Sequence, residues 1–195
     1  SFVKIPKSPA LDPGSQVTVE FWMKVAPGNQ MNSYQGLVTS DFYGVEISNG
    51  YGGNLGVNFF LSTMAGQPPV RNSLGTQGFN GVTTVVNFTH VSDANGGGAS
   101  VSAGEWHQVA ATYDSRQLKL YIDGKLWGRP MFHSGSIPPM LSDSFVAIGS
   151  EDGRMTCPDC IGTRYFKGQI SRVAIYKRAL SPVEIQQDYE ALMAE

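Results

Sequence analysis

The sequence predicts an all-β fold: two antiparallel sheets packed face to face, closed by one short C-terminal helix. Three observations predict it. Charged residues are only 15 % of the 195, against 23 glycines and 11 prolines, a mix that favours short strands and many turns. The run "VTVEFWMKV" (Val17 to Val25) alternates apolar and polar positions, the period of a strand with one buried face. Only one segment, near the C-terminus, carries the full set of helix-start signals.

The elements follow in order. In the first run Val17, Val19, Phe21, Met23 and Val25 point one way, while Thr18, Glu20, Trp22 and Lys24 form an expected wet face. "GLVTS" and "YGVEI" are two short strands, "SNGYGGN" is a turn, and "LGVNFFLST" returns as a strand. Residues 64–81, with consecutive prolines, form a long loop, and "VTTVVNF" is the next strand. "DANGGGASVSAG" (Asp93 to Gly104) reads as a flexible connection.

"EWHQVAATYDSRQLKLYIDGK" (Glu105 to Lys125) reads as a β-meander continued by "KLWGRPM". Asp114 starts the turn "DSRQ", and Asp123–Gly124 suits a type I′ turn, which needs φ > 0 at both positions. Trp106 is expected in the core, and His107 at an ordinary strand position. "FVAIGS" is a strand, "EDGRMTCPDCIGTRY" a polar loop and "FKGQISRVAIY" the last strand. In that last strand the apolar parity changes near Arg172, which suggests a bulge. The helix follows, with Ser181 as N-cap, Pro182 at its first position and Glu184 completing a capping box.

Composition also bounds function. The length suits a single domain over 1–195, read as a module of a larger protein because it starts at Ser1. A net charge of −2 with no dense basic run argues against nucleic acid and anionic membranes. No apolar run is long enough to span a bilayer.

The meander, "YFKGQISRVAIYKRALSPVEI" and "FVKIPKSPALDPGSQVTVEFWMKV" together resemble a laminin-G-like domain of the concanavalin A-like lectin/glucanase superfamily, close to the LamG-like jelly-roll and pentraxin branch. The resemblance implies a jelly-roll sandwich in an extracellular or cell-surface setting. It implies a non-catalytic module for a glycan or glycoprotein; the alternatives are an adhesion or spacer domain, and thirdly a polysaccharide-active enzyme. Paired carboxylates at glycosidase spacing are not found, since Glu20 and Glu46 are single acids on separate strands. Ser, His and Asp are present without a Gly-x-Ser-x-Gly elbow.

For sugar binding, exposed aromatic rings beside amides are the expected signal. The candidates are Tyr34, Tyr43, Tyr51, Asn49, Asn54 and Trp127. "IGSEDGR" resembles the pentraxin segment that carries calcium-binding acids, which makes Asp152 and Glu151 candidate calcium ligands, with Asp41 as a further carboxylate. Cys157 and Cys160, in "CPDC", are expected as a local disulfide given the extracellular-type fold. "NFT" at Asn87 to Thr89 falls on an expected strand and is read as a chance sequon.

Overall fold

The computed structural model describes residues 1–29, 34–49, 55–64, 86–91, 99–153 and 164–194, without the side chains of 49, 62–64 and 86–91. Among the described residues, twelve strands form two antiparallel sheets. The first holds β1 (Val3–Pro6), β3 (Gln35–Thr39), β4 (Tyr43–Asn49), β5 (Leu55–Met64), β6 (Val86–Val91), β7 (Ala99–Val101) and β11 (Phe145–Ile148). Its order is β1-β11-β3-β4-β5-β6, with β7 also on β5. The second holds β2 (Val17–Val25), β8 (Trp106–Tyr113), β9 (Gln117–Ile122), β10 (Lys125–Phe132) and β12 (Gly168–Tyr176), in the order β10-β9-β8-β2-β12. One helix, α1 (Pro182–Met193), completes the chain.

The core is the sum of the inward faces. Val19, Phe21 and Met23 of β2, Val109 and Ala111 of β8, Leu118 and Leu120 of β9 meet Val45 and Ile47 of β4 and Val57 and Phe59 of β5, all of them without solvent exposure. Alternation is what permits this, because successive strand side chains leave opposite faces of a sheet.

The expected wet face of β2 is covered. Thr18, Glu20 and Trp22 are buried, because α1 lies across this side of the second sheet. Trp22 stacks on Tyr189 with centroids 5.8 Å apart and planes 8° from parallel. Leu180 and Ile185 pack on Ala110 and Tyr121, and burial of a side chain such as Ile185 is worth roughly 1.5–3 kcal/mol. The capping box forms as expected: Ser181 accepts from the Glu184 N–H, and Glu184 accepts from the Ser181 N–H.

The hairpin turn adopts φ of 51° at Asp123 and 74° at Gly124. A Cβ on Gly124 would also come within 2.5 Å of the Gln186 amide oxygen on α1, which would have to turn aside. The β12 bulge appears as a register shift between Ser171 and Ala174, with Arg172 at φ 52°.

Three expectations are corrected. The expected flexible connection contains β7, whose Ala99–Val101 pair with Val57–Leu55. The strand expected over residues 82–88 is seen as Val86–Val91, residues 82–85 lying outside the described part. Trp106 is not core but 42 % exposed. Its parity explains this: Val109, Ala111 and Tyr113 face inward, so Trp106, Gln108 and Ala110 face α1, and the helix ends short of Trp106.

Candidate functional site

The residues expected to bind sugar separate in space. Tyr43 is buried in the core, and its hydroxyl donates to the Leu11 carbonyl at 2.9 Å. Burial, with Asp12 close by, holds that hydroxyl above the ordinary phenol range. No sugar ring can stack on it. Trp127 pairs with Leu120, so it faces inward and packs on the core rather than lining the outer surface. Tyr34 is exposed, 6.0 Å from the Arg164 guanidinium carbon. Asn49 ends β4, with its side chain outside the described part. Tyr51, Asn54, Cys157 and Cys160 also lie outside the described residues.

The three candidate calcium ligands do not behave as solvated loop acids. Glu151 and Asp152 are buried in a 3-10 turn, Glu151–Gly153, pressed against β3. The Thr39 hydroxyl donates to the Ser150 carbonyl at 2.8 Å. A Cβ on Gly153 would meet the Thr39 carbonyl oxygen at 2.0 Å, so only glycine permits this approach. Asp41 Oδ2 accepts from the Ser144 hydroxyl and from the Leu141 N–H, bracing the turn before β11. Among the described residues no three His, Cys, Asp or Glu side chains come together as a metal site.

His107 is also more than a strand position. Its Nδ1 lies 2.8 Å from Asp123 Oδ2, and its Nε2 lies 2.8 Å from the Ser102 hydroxyl. The constellation has the order of a serine hydrolase triad. The same groups also join three segments of the chain. The Ser102 N–H donates to Nε2, and the Ser102 hydroxyl donates to Glu105 at 2.9 Å. The Ser102 hydroxyl thus stands between the imidazole, at 2.8 Å, and the Glu105 carboxylate, at 2.9 Å. Asp123 also accepts from the Gln108 N–H at 3.0 Å. The group ties the turn before β8 to the β9–β10 hairpin.

Among the described residues, two hollows carry a large exposed aromatic ring, Trp106 in one and Phe132 in the other. The smaller, about 270 Å³, is lined by Trp22, Trp106, Ser171, Arg172, Leu192 and Met193. The larger, about 670 Å³, is lined by Asp114, Arg116, Gln117, Phe132, His133 and Ser134. Phe132 is 82 % exposed and is the cross-strand partner of Gln117. The polar wall is built by the β8–β9 turn. Asp114 Oδ1 accepts from the N–H of Arg116 at 3.0 Å and of Gln117 at 2.8 Å, and Oδ2 takes the Lys119 ammonium at 3.2 Å. Burial works against the ionised form of Asp114, but these donors outweigh it and hold the carboxyl below its ordinary range. The His133 N–H donates to the Arg116 carbonyl at 2.9 Å, joining the end of β10 to the same turn.

Of this larger hollow, the sequence reading reached only Asp114, as a turn former. The missing signal was register: nothing local shows that residue 132 stands opposite 117.

Residues 1–186 match the Laminin_G_3 family, described as the concanavalin A-like lectin/glucanases superfamily. The chain belongs to this family. Solved structures agree on the laminin-G-like fold. Domain 4 of a GH43 extracellular arabinanase from Geobacillus stearothermophilus, in complex with arabinotriose, is 16 % identical with a TM-score of 0.59, covering 95 % of this chain and 71 % of that one. A heptameric SAP-like pentraxin from Limulus polyphemus is 13 % identical, TM-score 0.54, covering 94 % and 78 %. The botulinum neurotoxin serotype D binding domain is 17 % identical, TM-score 0.55, covering 97 % of this chain and 42 % of that one. At these identities the likeness shows the laminin-G-like fold alone. A search of curated protein sequences finds no significant match.

Proposed function

We propose that this laminin-G-like chain is a non-catalytic carbohydrate-binding module of a secreted or cell-surface protein, with its glycan or glycoprotein ligand seated in the hollow beside Phe132. One observation carries the reading: a bare aromatic ring, 82 % exposed, stands among a guanidinium, an amide, an imidazole and a hydroxyl. Sugars present an apolar C–H face and a polar rim, so they ask for this combination. The arabinotriose held by the arabinanase domain supports a binding role for the fold, at the level of analogy.

The non-catalytic part rests on two arrangements. Glu46, on the outer side of the first sheet, stands between Asn58 and Gly36 across the strands, and glycoside hydrolysis uses two carboxylates. The Ser102–His107–Asp123 group is read as a brace, because it ties the turn before β8 to the β9–β10 hairpin. Ester turnover by the purified chain that disappears in both Ser102→Ala and His107→Ala would overturn it.

The test of binding is a glycan array followed by titration of any hit. Phe132→Ala is expected to weaken the hit at least fivefold, the range of an aromatic contact of about 1 kcal/mol or more. Trp106→Ala and Tyr34→Ala are expected to leave it within twofold. Loss in Trp106→Ala instead would move the ligand to the smaller hollow. An array without hits would favour a spacer or protein-adhesion domain.

A further inference from the structure

We propose that the saccharide held at Phe132 is acidic: a uronate-bearing oligosaccharide whose carboxylate pairs with the Arg116 guanidinium. The proposal rests on the carbohydrate reading above and adds the class of sugar. Three features of the hollow lead to it. First, its charges do not cancel. Lys119 is matched to Asp114 at 3.2 Å, while among the described residues the Arg116 side chain makes no ion pair. With Lys119 counted beside the lining residues Asp114 and Arg116, the site carries one positive charge on a chain whose net charge is −2. The surplus is therefore local, not a property of the whole surface.

Second, the backbone under Arg116 is fixed. Both oxygens of Asp114 are engaged, with the N–H groups of residues 116 and 117 among their donors. The Arg116 carbonyl is held by the His133 N–H. Ser115 sits at φ 76°, a left-handed position that a β-turn of this shape demands of its residue. A guanidinium on a braced turn loses less freedom on binding than one on a loose loop.

Third, the neighbouring groups suit the remainder of a sugar acid. Phe132 offers a face for the ring. Gln117, directly across from it, offers an amide for a ring hydroxyl. Guanidinium and carboxylate match in a planar two-bond fork, which neither a neutral sugar hydroxyl nor a lysine ammonium reproduces. The smaller hollow also holds an arginine, but its wall of two Trp, Leu and Met is mainly apolar.

The experiment uses the full chain and calorimetric titration. The probes are trigalacturonate and a hyaluronan tetrasaccharide, each as the free acid and as its carboxyl-methylated ester, with cellotetraose and xylotetraose as neutral controls. At least one acid is expected to bind about tenfold tighter than its own ester, which is what hydrogen bonds to a charged group are worth. That preference should shrink as sodium chloride rises from 50 to 500 mM. Arg116→Gln is expected to remove the preference and leave the ester within twofold. Arg116→Lys should keep part of it. Phe132→Ala should weaken acid and ester alike. Equal affinity for acid and ester, or a preference that survives Arg116→Gln, overturns the proposal. Neutral probes that bind through Phe132 as well as the acids do would sink the acidic class and leave the carbohydrate reading standing. If no probe of any class binds, both fall. Unchanged melting temperatures of the variants exclude misfolding as the cause of any loss.

Discussion

At the scale of single residues, the buried carboxyl of Glu20 sets a pH dependence. Glu20 lies under α1, accepting from the Gln108 amide at 2.6 Å. Burial pushes its carboxyl up to about 7, the nearby Asp188 adds to the rise, and the Gln108 bond opposes it. Below about pH 4.5 the group is protonated in both folded and unfolded chains, so it costs nothing. Between 4.5 and 7 the unfolded chain ionises first, and stability falls as pH rises. Above 7 the full penalty applies, on the order of 3 kcal/mol at about 1.4 kcal/mol per unit. Glu20→Gln is therefore expected to be more stable than the parent at pH 8 and close to it at pH 4.5. Chemical denaturation at the two pH values reads this directly. Parallel pH profiles for the two proteins would show that Glu20 ionises freely in the fold.

His107 makes a second case at this scale. As a brace it joins two turns, and its loss removes hydrogen bonds to Asp123 and Ser102 together. His107→Ala is expected to cost about 1–3 kcal/mol, the penalty of leaving such partners unmet. A variant as stable as the parent would remove the brace and reopen the question of what the group is for.

At the scale of elements, the helix start and the hairpin were legible because their signals are local. Ser181, Pro182 and Glu184 lie within four residues, and Asp123–Gly124 is adjacent in sequence. The β12 bulge was legible for the same reason, as a change of parity inside one strand. What could not be read was anything set by a distant partner. The outward face of β2 looks wet in sequence, because nothing there announces that residues 180–193 will cover it. Trp106 looks like core for the same reason reversed: the helix that covers Gln108 and Ala110 stops before reaching it. The hollow at Phe132 depends on the register of β10 against β9, which a shift between Trp127 and Met131 resets. The helix itself is testable. Ser181→Ala removes one side of the capping box, and caps of this kind are worth about 1 kcal/mol. In a chain of this size that lowers the melting temperature by roughly 2–4 °C. No change would mean that α1 is held by Ile185 and Tyr189 alone.

At the scale of the whole molecule, the two ends of the chain are stitched together. β1 pairs with β11, joining residues 3–6 to 145–148. β12 pairs with β2 along nearly its full length, from Gly168 opposite Val25 to Tyr176 opposite Thr18. Contacts of such sequence separation delay folding, because loop closure is costly before the contacts repay it. They also make the second sheet depend on its last strand. Without β12, β2 becomes an edge with unpaired N–H and C=O groups. The core loses Ile170, Val173 and Ile175, which pack against it. Without α1, Trp22, Gln108 and Tyr121 face water. The Gln108 amide then loses the Ile185 carbonyl, which it meets at 3.3 Å. These losses together exceed the 5–15 kcal/mol by which most domains are stable. A fragment ending at residue 163 is therefore expected not to fold, despite keeping eleven complete strands. It should bind a hydrophobic dye, lack dispersed amide resonances and melt without a cooperative transition. A fragment that melts cooperatively would show that β2 and β8 hold the second sheet by themselves, and that β12 and α1 dock on a scaffold already formed.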